Sequence, residues 1–431
     1  MTHFSLSAIV LATLCASTLA AVDPSCSKSV KVLNQIDLDS IKHCKAFEGS
    51  ITIEKMGAAQ MLRMEGVETL KGDLILSGNP ELGGFSAPNL KLVDGQIKIE
   101  NQTILSKAEF PQLTQVNSMT LSVLPALEII QFPAGLTKVD NMKIEDTRAP
   151  KIDGFKPEMI GTFTLNNNNY MRSFDFSSVK EANEIYVHGN NHGMSFDAPN
   201  LTALNKAIFF NLAQIQVPSL TAVRSDLSFH ENEFSSLNMD ALQSIGGTFT
   251  MANNNKLTGT SFKKLNLIVG ALSIGNNTQL TTIEGFPSLA EIHGTCDLAG
   301  NFDDYKLPAL KDVRGGMRIQ STSSKLACHE LERKLKGEGI VKGTTWSCSA
   351  NMQQEEMVPT VGQTPPTVDG NNSGKIIFDK GSSPPTKNGN GSGSTQGREK
   401  ENISLTNDAP TSFGSASLGL AITAYLVSIL F

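Results

Sequence analysis

The sequence predicts an all-β fold, a right-handed parallel β-solenoid of about 13 coils closed by a short C-terminal helix. Three observations lead there. A unit of about 22 residues recurs, as in GDLILSGNPELGGFSAPNLKLV (72–93) and GALSIGNNTQLTTIEGFPSLAEI (270–292). Each copy opens with two apolar residues separated by one, and 13 such pairs can be placed, from Ile51/Ile53 through Leu74/Leu76, Ile185/Val187, Ile208/Phe210 and Leu227/Phe229 to Met317/Ile319. No copy contains a ten-residue helical pattern, so strands make the coil. From Leu74 to Met317, 243 residues fall into 11 steps, a spacing typical of strand-per-repeat solenoids. A unit this small cannot close its own core, and its copies must therefore stack.

Taken in order, residues 1–20 hold an apolar run from Phe4 to Ala16 and end in the small-residue sequence Thr18-Leu19-Ala20. This is the pattern of a secretory signal peptide, although only His3 stands where Lys or Arg is usual. A membrane anchor would need about 18 uninterrupted apolar residues. Residues 21–350 form the expected solenoid ectodomain.

Removal of the leader leaves five cysteines. Cys26 and Cys44 precede the first copy and Cys328 and Cys348 follow the last, so in an oxidising compartment each close pair is expected to be a disulfide stapling one end. Cys296 occupies an inward strand position and reads as a buried thiol. No CxxC occurs, and the spacing of His188 and His192 on a strand does not bring two rings to one face, so no metal or other cofactor is expected.

Within each copy the apolar pair faces inward and the residue between them outward. An Asn stands three residues after the second apolar site in many copies, at Asn79, Asn168, Asn190, Asn232, Asn254, Asn277 and Asn301. Buried at a corner, such an Asn can bond the backbone of neighbouring coils. Leu124, Thr147 and Ala213 replace it elsewhere, and the weak copies across 119–160 read either as a bend or as a seam between two tandem domains. A recurring Pro-x-Leu, as in Phe286-Pro287-Ser288-Leu289, marks a second corner, because Pro fixes φ and donates no hydrogen bond.

Residues 323–337 carry a Ser start, late basic residues and a Gly stop, so a capping helix is expected there, with Leu326, Leu331 and Leu335 over the last coil. Trp346 is expected to pack beside Cys348. Residues 351–407 are rich in Ser, Gly, Pro and Asn and read as a disordered stalk. Residues 408–431 fit the removed signal of a glycosylphosphatidylinositol (GPI) anchor, with attachment at Asn407. Sequons begin at Asn101, Asn200, Asn276, Asn371, Asn390 and Asn402, in keeping with a secreted glycoprotein. A net charge of −6 without basic clusters argues against nucleic acid.

The leader, the Cys pairs at the ends, the L-x-L-x-x-N coils, the GTTWSCS segment at 343–349 and the stalk with its anchor signal together resemble the fungal GPI-anchored cell-wall organisation proteins, relatives of sporulation-specific wall proteins. The repeats are similar to the receptor L-domain of insulin-receptor and EGF-receptor ectodomains. The resemblance implies a non-catalytic glycoprotein on the extracellular face of the plasma membrane and in the cell wall. Its implied partners are wall polysaccharide or wall glycoproteins, with the membrane engaged through the GPI lipid. It supplies no catalytic residues.

The alternative is a polysaccharide-active β-helix enzyme, which needs clustered carboxylates on the exposed sheet. Among the middle positions of the 13 strands only Asp297 is one. Tyr186, His188, Phe209, Asn211, Ser228 and His230 are expected instead to form an outward patch on three successive coils, suited to a sugar chain or a protein partner.

Overall fold

The computed structural model describes residues 23–56 and 61–360, with two further short strands at Thr367–Val368 and Ile376–Ile377. The alternation of apolar and polar residues produces the expected parallel β-solenoid. The 13 predicted strands stack in sequence order, each hydrogen-bonded to the strand one repeat away, as in Ile51↔Leu74, Leu74↔Ile97, Phe249↔Leu272 and Cys296↔Met317. A second side of the coil is built from shorter strands such as Gly84–Ser86, Ser195–Asp197 and Gly259–Ser261, also paired in parallel. The strands run without a break through 119–160, where Gln115–Leu124 and Lys138–Thr147 reach 10 residues each. The irregularity falls on the other side of the coil, where Ile130–Leu136 slips register against Ile152–Phe155.

The interior is apolar and dry. Its distinctive feature is a column of rings through the C-terminal half: Phe174 and Phe196 stack at 6.3 Å, Phe196 meets Phe209 at 5.4 Å, Phe209 stacks on Phe229 at 5.5 Å, and Phe262 stacks on Phe286 at 4.9 Å. Cys296 is buried and unbonded, and burial pushes its thiol pKa up.

Two devices turn the chain at the ends of the main strands before Cys296–Gly300. First, one residue adopts positive φ, which strains side chains other than Gly, Asn and Asp. It is Gly78, Asn101, Asp146, Asn167, Gly189, Asn211, Asn253 or Asn276 in most coils, and Val123 or Glu231 in others. Second, in six coils the next residue is a buried Asn, whereas Gln102, Leu124, Thr147 and Leu212 hold that place in others. Asn254 Nδ2 donates to Phe229 O at 3.1 Å and to Asn277 Oδ1 at 3.0 Å, while its own Oδ1 accepts from Asn232 N and Nδ2. Asn79, Asn168, Asn190, Asn232 and Asn277 make equivalent bonds to the preceding coils. Asn301 departs from the expected pattern: it is exposed, and Phe302 takes the buried place. The Pro-x-Leu corners are four-residue turns, with Leu289 N donating to Phe286 O at 3.2 Å and Pro287 in the position that favours its fixed φ. At a third corner the coils approach so closely that a Cβ on Gly270 would lie 2.4 Å from the backbone carbon of Gly247.

Both disulfides form as expected, Cys26–Cys44 and Cys328–Cys348. The ends hold more than the sequence reading placed there. Val30–Val32 adds a strand before the first predicted one, and Gln35–Asp39 forms a short helix capped by Asn34 and Asp37. Trp346 lies on a strand, Trp346–Ser349, that pairs with Met317–Ser321 and extends the sheet by one strand. The C-terminal helix is shorter than expected, α-helical at Cys328–Leu331 and continuing as a π-helical segment, Glu332–Gly337. Ser321 and Ser323 side chains bond Phe302 O and Asp303 and hold the preceding residues out of the helix. Leu326 and Leu335 are buried as expected.

One strand is out of the predicted register. Ala203–Phe210 places Ala207 and Phe209 inward, paired with Leu227 and Phe229, whereas Ile208 and Phe210 face outward. Three consecutive apolar residues satisfy either register by pattern, and the larger interior contact of Phe209 with the ring column decides between them. The corresponding corner residue is then Leu212, whose N–H is bonded by Asn232 Oδ1, and not Ala213.

Candidate functional site: the outer face of the main sheet

Outward side chains on neighbouring strands form columns across the sheet, about 4.8 Å apart in the strand-to-strand direction. In the N-terminal half the columns are polar and exposed to partly exposed, with Lys98 paired to Glu100 at 2.8 Å and Lys143 to Glu145 at 2.6 Å. Two coils beyond Lys143 they turn aromatic. Tyr186 stands beside Ile208, and its hydroxyl donates to Glu184 Oε2 at 2.8 Å. On the next pair of strands Phe210 stacks on His230 at 4.8 Å with 14° between the planes.

Of the expected patch the structure leaves Tyr186 and His188 partly exposed on one face, whereas Ser228 and His230 point the same way but are buried, as is Ile208 between them. Phe209 is 1% exposed and lies in the core, so it is replaced on this face by Ile208 and Phe210. Asn211 also leaves the patch. Its φ of 57° makes it a turn residue, with Nδ2 donating to Glu231 O. A fixed apolar–aromatic surface flanked by the Glu184 carboxylate and the Lys206–Asp226 pair at 3.6 Å can stack against a flat apolar face and hydrogen-bond at its rim.

The imidazoles of this face are held neutral. Burial lowers the pKa of His188, with Glu145 acting in the opposite sense and Lys143 reinforcing it. Burial alone takes His230 down to about 4, and its Nδ1 is buried with no hydrogen-bond partner. Because the folded pKa lies below the unfolded value of about 6.5, His230 leaves stability intact above pH 6.5, and stability falls as the pH drops from 6.5 towards 4. A shift of this size corresponds to about 3 kcal/mol. In His230→Phe the acid limb of a stability–pH curve should flatten over that window; an unchanged limb would contradict the assignment.

Most carboxylates on this face are engaged; Glu54, outward on the first predicted strand, is not. Asp297, the middle-row acid singled out in the sequence, is buried and receives both Arg318 Nε at 2.8 Å and Nη2 at 2.7 Å. Further outward acids occur in rows flanking the middle one, Glu100, Glu145, Glu184 and Asp226, each bonded to Lys or Tyr. Counting middle positions alone missed them; extending the period-2 pattern beyond the apolar pair finds them. Asp303 binds Ser323 and Lys325, and Asp304 lies 3.4 Å from Lys306. Among the described residues one group gathers three potential metal-binding atoms, Cys26, His43 and Cys44, and the disulfide consumes both thiols.

Asn101 and Asn276 fall at positive-φ turn positions, and Asn200 lies in an exposed turn with Nδ2 donating to Ser177 O. Asn371, Asn390, Asn402 and Asn407 lie outside the described residues, as do the leader and anchor segments. Among the described residues no helix is long and apolar enough to cross a membrane.

A disulfide-stapled solenoid with a polar-to-aromatic outer face defines a repeat protein of the surface-displayed kind. The relatives agree: the chain's homologues are fungal cell-wall and GPI-anchored surface proteins. It is 29% identical over 339 residues to "Sporulation-specific protein 2" of Saccharomyces cerevisiae, covering 78% of this chain and 67% of the relative. It is 27% identical to "Cell wall protein ecm33" of Schizosaccharomyces pombe, covering 78% and 79%. With "Cell surface GPI-anchored protein" of Arthroderma benhamiae it shares 28% identity over 80% of this chain and 86% of the relative. No family model matches the chain, and no solved structure matches it significantly.

Proposed function

We propose that the protein is a non-catalytic, GPI-anchored glycoprotein of the fungal cell surface and wall. In this reading it supports wall organisation by binding wall polysaccharide or a wall glycoprotein through the outer face at Tyr186, His188 and Phe210, with the buried Ile208 and His230 beneath and beside them. The observation that carries the binding reading is the placement of Tyr186 and the Phe210–His230 stack on one face of consecutive coils, since solenoid faces are the usual binding surfaces of such proteins. The engagement of most outward carboxylates in ion pairs and hydrogen bonds favours binding over hydrolysis, which requires a pair of carboxylates free to act. Two of the three relatives are named as wall or surface proteins, and none of the three names states a catalytic activity.

The test uses Tyr186→Ala with Phe210→Ala, which removes outward rings and leaves the core intact. Two stacking contacts are each worth about 1 kcal/mol, so retention of the purified ectodomain on wall material should fall roughly tenfold or more, with the ectodomain still cooperatively folded and its stability lowered by only about 1–2 kcal/mol. Full retention by the double variant would remove this face from consideration.

A further inference from the structure

Beyond the last strand, residues 352–360 turn back across the outer face of the final coils. Met352 N donates to Ser321 O at 3.0 Å. Gln354 Nε2 then reaches Asn276 Oδ1 at 3.3 Å, two coils away. Val358 is held at both backbone groups, its N–H by Gln320 Oε1 at 2.9 Å and its C=O by Gln320 Nε2 at 3.0 Å. Arg318 Nη2, already engaged with Asp297, also donates to Pro359 O at 3.0 Å. The segment is thus a strap fixed at four points, and Thr360 at its end is buried. Beneath it is a cavity of about 150 Å³ lined by Asn276, Ala299, Gln354, Met357, Val358 and Pro359.

Asn276 is also the first residue of the sequon Asn276-Asn277-Thr278. One hydrogen of its Nδ2 goes to Asn253 Oδ1 at 3.0 Å, which fixes the amide plane. A glycan attaches through that same nitrogen by replacing its other hydrogen. The sugars would have to leave through the space that Met357, Val358 and Pro359 close. Asn276 precedes Met352 by 76 residues (352 − 276), so during secretion it is presented for modification before the strap has been made.

We propose that Asn276 is N-glycosylated and that its glycan and the docked strap are mutually exclusive, so that sugar at this site holds the strap off and uncovers Ala299, Arg318 and Gln320. The inference rests on the secretory reading above. The ligand class at the site is an N-linked oligosaccharide, and the conformational partner is the chain's own residues 352–360.

The experiment compares the full chain secreted from a eukaryotic host with its Thr278→Ala variant. Thr278 is exposed, so the change abolishes the sequon and leaves Asn276 and its contacts in place. Glycopeptide mass spectrometry should find sugar on Asn276 in the wild-type protein. Hydrogen exchange at the Val358 amide should be at least tenfold faster in the glycosylated molecule than in Thr278→Ala. An unmodified Asn276 beside modified Asn101 or Asn200 would overturn the proposal alone. Absence of sugar at every sequon would overturn it together with the secretory reading. A glycosylated molecule whose strap is as protected as in the variant would show that sugar and strap coexist, and would equally overturn it.

Discussion

Asn254→Ala is expected to destabilise the solenoid by about 3–5 kcal/mol. The substitution strips a donor from Phe229 O and an acceptor from both Asn232 N and Asn232 Nδ2, all buried. Each buried polar group left unpaired costs about 1–3 kcal/mol. Asn277 Oδ1 keeps the Asn254 backbone N–H as a partner, which limits the damage on that side. Asn255→Ala, one residue away and exposed, should change stability by no more than about 0.5 kcal/mol. Because repeat arrays can open locally, the measurement is hydrogen exchange at the Asn232 and Asn254 amides alongside a denaturant midpoint. Equal effects of the two variants would refute a structural role for the Asn ladder.

Phe209→Ala is expected to cost a further large amount, about 3–5 kcal/mol, as for other buried Phe truncations. Its ring lies between Phe196 and Phe229 in the interior column, so truncation interrupts the column and leaves a cavity. Phe210→Ala removes an outward ring stacked on His230 and should cost roughly 1 kcal/mol. The pair of variants therefore reads the register of Ala203–Phe210 directly. If Phe210→Ala proved the more damaging, Ile208 and Phe210 would face inward after all.

That strand shows where the sequence stops being sufficient. Period and strand order were legible because each coil repeats an inward apolar pair, followed in about half of the coils by a buried corner Asn. At residues 206–210 the local sequence Lys-Ala-Ile-Phe-Phe satisfies two registers, and only contact with Phe196 and Phe229 separates them. The positive-φ position before the ladder was half visible, as Asn or Gly in most coils, and hidden where Val123 and Glu231 occupy it. The added end strands were missed for different reasons: Val30–Val32 is only three residues long, and Trp346–Ser349 carries a Cys–Trp signal that suggested a cap. The strap over Asn276 is held by Gln and Arg side chains bonding to backbone and amide groups, and such contacts leave no periodic trace in a sequence. The disulfides were readable from position alone, since each pair lies outside the repeats and close in the chain.

The candidate site was legible in its location and blurred in its membership. Tyr186, His188 and His230 follow from the alternation of a strand whose register is unambiguous, whereas Phe209 and Asn211 inherited the one-residue error of their neighbour. The acids that flank the middle row lie two residues to either side of it, outside the apolar pair that marks each coil, and their ion pairing is a property of the fold.

The central claim, that this is a binding surface and not a hydrolytic one, is tested most directly by incubating the purified ectodomain with wall glucan, chitin and mannan while following both retention and soluble products. Retention on at least one wall polymer or its attached glycoproteins, with no oligosaccharide released, is the predicted result. Release of oligosaccharides would contradict it and make the solenoid an enzyme.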